Sequence, residues 1–220
     1  MDTIANIHKH NYIKYLLWIS LLSAQCILSV ATQAHPFVFI VAILGAISAI
    51  VSAEGWYITN IVFIIYAAGA AMLAWQDRLY GDVLAMIISA AGSFIALFTW
   101  RKKLRKHTVK TRQLSGCQWT GIIICSVVMC ISNTILLFYA QSEFITLNAI
   151  ALTAIIVAEI FFSMRYCETY TMEIIGDIAL AMIWLCNQNW LLALTCVMDA
   201  AFAVYGLYNW KKLSVRKDKT

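Results

Sequence analysis

Charge is scarce in this chain: 12% of its 220 residues are Asp, Glu, Lys or Arg, against 62% hydrophobic ones, and mean hydropathy is +0.78. A soluble chain of this length cannot hide so much apolar surface, so the composition points to a polytopic membrane protein. Further absences narrow the function. No Gly-x-x-x-x-Gly-Lys phosphate loop occurs and no segment is long enough to form a soluble domain around one, which excludes ATP-driven transport by the chain itself. Every Lys lies in a loop or at a segment end, so there is none in mid-helix to form a retinal Schiff base. His8, His10, His35 and His107 sit in tails or at segment ends without metal-ligand spacing, and an intramembrane hydrolase would lack a mid-membrane histidine base. The seven cysteines form no Cys-x-x-Cys pair, and most lie in apolar spans, where cysteine behaves as a small hydrophobe. Neither a cofactor, a metal site nor a catalytic group is expected, and an intramembrane enzyme is the less favoured alternative to a carrier.

What the chain has in quantity is apolar segments of bilayer length, about 20 residues each. Eight are readable, at 15–32, 37–53, 57–75, 83–100, 117–140, 144–164, 170–186 and 190–210. The expected class is therefore all-α and polytopic, with about eight transmembrane helices. If the helices alternate, all of the 16 basic residues except Arg78 fall on one side, and the positive-inside rule places both termini in the cytoplasm. The run Arg101, Lys102, Lys103, Arg105, Lys106 then reads as a topology anchor against anionic lipid, with no nucleic-acid role. The small residues from Ala31 to Ala34 resemble a signal cleavage site, but the segment before them is longer than the roughly 7–15 residues of a signal core. It is expected to remain as an uncleaved helix. The oligomeric state is not legible; a homo-oligomer is compatible with the sequence.

Against this apolar background the acids stand out. Asp177 lies near the middle of its segment, where a charge costs roughly 2.5–3.5 kcal/mol on insertion scales. Glu173 is one turn away, Glu159 lies in the preceding segment, Asp199 is near the centre of the following one, and no Lys or Arg lies at their depth. Excess negative charge with no basic counterpart calls for a cation from outside. Tyr170, Glu173, Asp177 and Trp184, spaced by three, four and seven, share one helix face and offer two anions and two aromatics. Aromatic faces attract a flat cation by about 0.5–2 kcal/mol each, and carboxylates accept hydrogen bonds from hydroxyl or amino groups. The earlier segments are milder at this depth, with Tyr66, Ser89 and Ser93. Glycines and alanines there read as close helix packing, and Asn133 as an interhelical hydrogen bond.

The chain also repeats itself. Trp100-Arg101-Lys102-Lys103-Leu104 returns as Trp210-Lys211-Lys212-Leu213 at an offset of 110, which also sets Tyr80 on Trp190. Taken alone, Trp followed by Lys also marks an interfacial belt and its anchor. With the segment order, however, the pattern is one extra helix, three, one inverting helix and three, so that both triplets run the same way. Parallel repeats of this kind bind substrate near the midplane between them. The expected units are 1–36 (tail and extra helix), 37–104 (first triplet), 105–143 (basic loop and linking helix), 144–213 (second triplet) and 214–220 (tail).

Leu79-Tyr80-Gly81-Asp82 before a helix closing at Trp100, Ala158-Glu159 through Arg165 to Glu168, and Tyr205-Gly206 through Asn209-Trp210 resemble the PnuC vitamin-transporter family over residues 37–210. The resemblance implies a 3+1+3 helical fold related to the SWEET sugar transporters. It also implies facilitated uptake of a vitamin precursor through the inner membrane, chiefly nicotinamide riboside for NAD biosynthesis, trapped by a cytoplasmic kinase. Relatives handle thiamine and riboflavin, so a thiamine carrier is the alternative. Where the family commonly has Gln, this chain has Glu159. In place of a Trp-x-x-Trp pattern followed by Asn, it has Tyr170, Glu173 and Asp177. The expected partners are the bilayer and a small cationic vitamin, and the expected binding residues are Asp177, Glu173, Tyr170, Trp184, Glu159, Asp199 and Tyr66.

Overall fold

A computed structural model describes residues 2–31, 33, 35–76, 80–105, 108–139, 142, 144–186, 188 and 190–215. Within them the helices are α1 (Asp2–Ala31), α2 (Pro36–Ala53), α3 (Thr59–Gln76), α4 (Tyr80–Arg101), α5 (Gly116–Tyr139), α6 (Ile145–Met164), α7 (Thr169–Cys186) and α8 (Trp190–Val215). The expected turns at 76–78, 141–143 and 187–189 lie wholly or partly outside the described residues, as do Leu79 and the side chains of Tyr80 and Trp190. The all-α expectation needs one amendment: β1 (Leu104–Arg105) pairs antiparallel with β2 (Thr108–Val109) between α4 and α5. Among the described residues α2, α5, α6 and α7 are each long and apolar enough to cross a membrane, and shorter apolar stretches lie in α1, α3 and α4.

Helix ends follow local chemistry. Pro36 opens α2, where its missing N–H costs nothing, and the His35 ring Nδ1 accepts a bond from the Phe37 N–H at 3.3 Å. The far end of α2 turns at Gly55 with φ +67°. The far end of α6 turns the same way at Arg165, φ +68°, although a side chain in the left-handed region costs roughly 1–2 kcal/mol. Tertiary bonds hold it there: the Arg112 N–H donates to the Arg165 carbonyl at 2.8 Å, and the Arg165 guanidinium donates to the Lys110 carbonyl at 2.9 Å.

Side-by-side contacts run α2–α3–α4–α6–α7–α8 and close with α8 on α2. Six helices thus form a ring, with α1 packed outside on α2 and α8, and α5 on α6. The Asn133 amide of α5 donates to Thr153 Oγ1 of α6 at 3.0 Å, an interhelical bond in an apolar interface.

Trp100 and Trp210 are both fully buried, which sets aside the interfacial-belt reading of the Trp-Lys motif. Each donates to the next helix in the ring: Trp100 Nε1–H to the Phe162 carbonyl of α6 at 3.2 Å, Trp210 Nε1–H to the Ser52 carbonyl of α2 at 2.9 Å. Ser52 and Phe162 are themselves 110 residues apart, so the two bonds are reciprocal. The same offset relates Thr59 Oγ1 donating to the Ser48 carbonyl and Thr169 Oγ1 donating to the Ala158 carbonyl, at 3.3 and 2.9 Å.

The basic loop is more than a charged anchor. Val109 and Thr111 are buried, and the segment crosses the helix ends. The Val109 N–H donates to the Gly55 carbonyl at 2.8 Å, Thr111 Oγ1 to the Trp210 carbonyl at 2.8 Å, and the Leu114 N–H to Glu168 Oε1 at 3.1 Å. Lys102, Lys103, Lys110 and Arg112 remain exposed around it. The segment thereby closes the basic end of the ring.

Candidate functional site

A partly open cavity of about 530 Å³ lies within the ring. Its floor faces the basic end and is built by aromatic packing. Tyr170 stands edge-on to Trp210 with ring centres 5.3 Å apart, Phe162 stacks on Trp210 at 5.9 Å, and the Tyr170 hydroxyl shares a hydrogen bond of 3.0 Å with Ser52 Oγ. Ser52 belongs to α2 and Tyr170 to α7, so this bond ties those two helices together beneath the cavity.

Above the floor, α7 supplies Glu173 and Asp177 at successive turns of the face that carries Tyr170. Glu159 enters from α6 and Asp199 from α8, the two helices that flank α7, and Tyr66 from α3. Six of the seven residues expected from the sequence therefore line one space. Trp184 does not: seven residues at 1.5 Å per residue carry it about 10 Å beyond Asp177, and it is absent from the lining.

Each carboxylate has a defined setting. Glu159 reaches into α4, where Gly92 makes room for it: a Cβ there would lie 2.8 Å from Glu159 Oε2, and the Ser89 hydroxyl is its hydrogen-bonding neighbour. Glu173 Oε1 accepts a long bond of 3.5 Å from Thr169 Oγ1. Glu173 lies within electrostatic reach of Glu159 and Asp199, and Asp177 within reach of Asp199 and Glu173. Tyr66 in turn lies close to Asp199. Among the described lining residues there is no Lys, Arg or His to neutralise them. Carboxylates crowded in a low-dielectric space repel one another and attract cations strongly. Among the described residues no group of His, Cys, Asp and Glu has the arrangement of a metal site.

Sequence reasoning missed several features. Gln25 of α1 lines the cavity, and its signal was available as an uncharged polar group inside an apolar helix. Phe63, Phe162 and Phe202 also line it, hidden among the many apolar residues of their segments. Nearer the basic end the Tyr205 hydroxyl donates to Glu54 Oε1 at 2.6 Å, both groups buried, and Asn209 donates to the Ala53 carbonyl at 2.8 Å. These bonds join α8 to the end of α2, and neither partner's local sequence signals the other.

Comparison with known proteins agrees with this architecture. The family model described as nicotinamide mononucleotide transporter matches residues 35–212. The nicotinamide riboside transporter PnuC of Neisseria mucosa is 25% identical over 221 residues, covering 90% of this chain and 84% of that protein. A crystal structure of the vitamin B3 transporter PnuC superimposes with a TM-score of 0.79 at 22% identity, covering 93% of this chain and 92% of that one, and so shares the fold. The chain is a multi-pass membrane protein, and it belongs to the nicotinamide mononucleotide transporter family.

Proposed function

We propose that this protein carries nicotinamide riboside across the cell membrane by facilitated diffusion. The observation that carries the reading is the cavity between the two triplets, which four carboxylates and two tyrosines line together, with no Lys, Arg or His among the described lining residues. Nicotinamide riboside presents a flat, positively charged ring and neutral hydroxyls. The tyrosine faces suit the ring, and the carboxylates suit both its charge and the hydroxyl donors. Glu173, Asp177, Glu159, Asp199, Tyr170 and Tyr66 are the proposed binding residues.

In this reading all eight helices span the bilayer, and the basic end, with both termini, faces the cytoplasm. The chain divides at 1–36, 37–104, 105–143, 144–213 and 214–220. The triplets α2–α4 and α6–α8 are parallel repeats about an axis along the membrane normal, as in the SWEET-related plan, with α5 inverting the chain between them. The reciprocal bonds of Trp100 and Trp210 support that relation. The protein performs no chemistry on its substrate. Net uptake follows from phosphorylation by a cytoplasmic kinase, which keeps the free vitamin dilute inside.

The test is transport by purified protein in liposomes. Labelled nicotinamide riboside is expected to equilibrate without ATP or an imposed ion gradient. Uphill accumulation driven by a proton gradient alone would make the acidic cluster a coupling device and overturn simple diffusion. Thiamine is the second reading, favoured by Glu173 and Asp177 standing where an aromatic and an amide were expected, since carboxylates also suit an aminopyrimidine. Competition between the two vitamins separates these readings.

A further inference from the structure

The family match begins at residue 35, so α1 lies outside the matched region, yet α1 contributes directly to the cavity. Its position is set by packing. Leu21 is only 3% exposed and joins Ala46, Ile50 and Ala53 of α2 and Phe202 and Tyr205 of α8 in one apolar cluster, with Trp18 and Leu22 against it. The helix therefore covers the line along which α2, from the first triplet, meets α8, from the second. Gln25 follows Leu21 by four residues and shares its face, and it lines the cavity.

The chemistry of Gln25 differs from that of its neighbours. Ionised carboxylates only accept hydrogen bonds, whereas a primary amide offers two N–H donors and an accepting oxygen without adding charge. Among the described residues that line the cavity, Gln25 is the one amide. Gln25 is half-buried and so borders the cavity with its amide accessible to whatever occupies it; in an apolar helix such an amide is unfavourable unless it finds a partner, and a polar ligand in the cavity supplies one.

We propose that Gln25 is a specificity-determining residue, hydrogen-bonding the uncharged polar part of the substrate while the acids of α6, α7 and α8 hold its charge. The extra helix is then a working wall of the binding site and not only a cover over the α2–α8 line. This rests on the reading of the cavity as the vitamin site.

The experiment compares wild type, Gln25→Leu and Gln25→Ala in liposomes, with labelled nicotinamide riboside and thiamine each offered as substrate. Leu21→Ala serves as a packing control. For whichever vitamin the wild type transports, both Gln25 variants are expected to raise KM by about 3- to 30-fold, the size of a lost hydrogen bond, with maximal rate changed less than about twofold. Leu21→Ala is expected to lower thermal stability while keeping KM. Unchanged KM in both Gln25 variants, with a wild type that transports, would overturn the role of Gln25 and leave the function intact. A wild type that transports neither vitamin would overturn both.

Discussion

At positions 110 residues apart, α2–α4 carries Ala49, Phe63, Ala67 and Ser89 where α6–α8 carries Glu159, Glu173, Asp177 and Asp199. The backbones around these positions are treated alike. Gly55 and Arg165 make the same left-handed turn, Thr59 and Thr169 donate to equivalent carbonyls, and Trp100 and Trp210 cross to each other's triplet. The shared features are mostly bonds to main-chain carbonyls, which survive changes in side chains elsewhere. The differing features are the cavity's carboxylates, which all lie on α6, α7 and α8. Under the proposed function, a bound cation is expected to meet its carboxylate partners on α6, α7 and α8 and mainly aromatic and hydroxyl groups on α2 and α3.

The largest effect is expected from removing charge on the acidic wall. Asp177→Asn deletes a charge-assisted contact of roughly 1.5–3 kcal/mol, which is about 10- to 150-fold in affinity for a cationic vitamin. Expression is expected to hold or improve, because a neutral amide is easier to bury in the membrane than an ion. Titration of the purified variant with nicotinamide riboside checks this, and an affinity within twofold of wild type would break the proposed division of labour. Behind Glu159, Ser89→Ala removes only its neutral hydrogen-bonding neighbour, and the loss of affinity is expected to stay below about tenfold.

The scaffold makes a separate test, read by thermal unfolding in detergent. Gly55→Ala places a Cβ in a left-handed turn, 3.2 Å from Leu213 Cδ1, and is expected to destabilise the protein by about 1–2 kcal/mol. Matched losses of about 1–3 kcal/mol each, from lost packing as well as the lost bond, are expected from Trp100→Phe and Trp210→Phe, both fully buried. The carbonyls they release keep another donor, since the Gly55 and Arg165 N–H groups also bond to Ser52 and Phe162 at 2.8 and 2.9 Å. A large difference between the two tryptophans would show that the reciprocity is geometric only.

Much of the site was legible because charge is so costly in an apolar segment that few acids appear there without a purpose. Asp177, Glu173, Glu159 and Asp199 could be picked out one by one, and helix spacing placed two of them on the face of Tyr170. Helical spacing gives direction around an axis but not depth, which is why Trp184 shared the face and still lay outside the cavity. Gln25 was overlooked because an uncharged amide raises a much weaker signal than a carboxylate. The segment from Thr108 to Leu114 and the Glu54–Tyr205 pair depend on contacts between residues far apart in the chain, and no local periodicity encodes those. Arg165 shows the same limit: a non-glycine residue takes the left-handed turn because tertiary bonds to Lys110 and Arg112 compensate for it.

The central claim is that the acidic wall recognises the positive charge of the substrate's ring. Its most direct test is to titrate the wild-type protein with nicotinamide riboside and with its reduced form, which has nearly the same shape and the same ribose but an uncharged ring. The reduced form is expected to bind at least about tenfold more weakly, the loss of one charge-assisted interaction. Equal affinity for the two would contradict it, because four carboxylates indifferent to the ring's charge could not be what holds it.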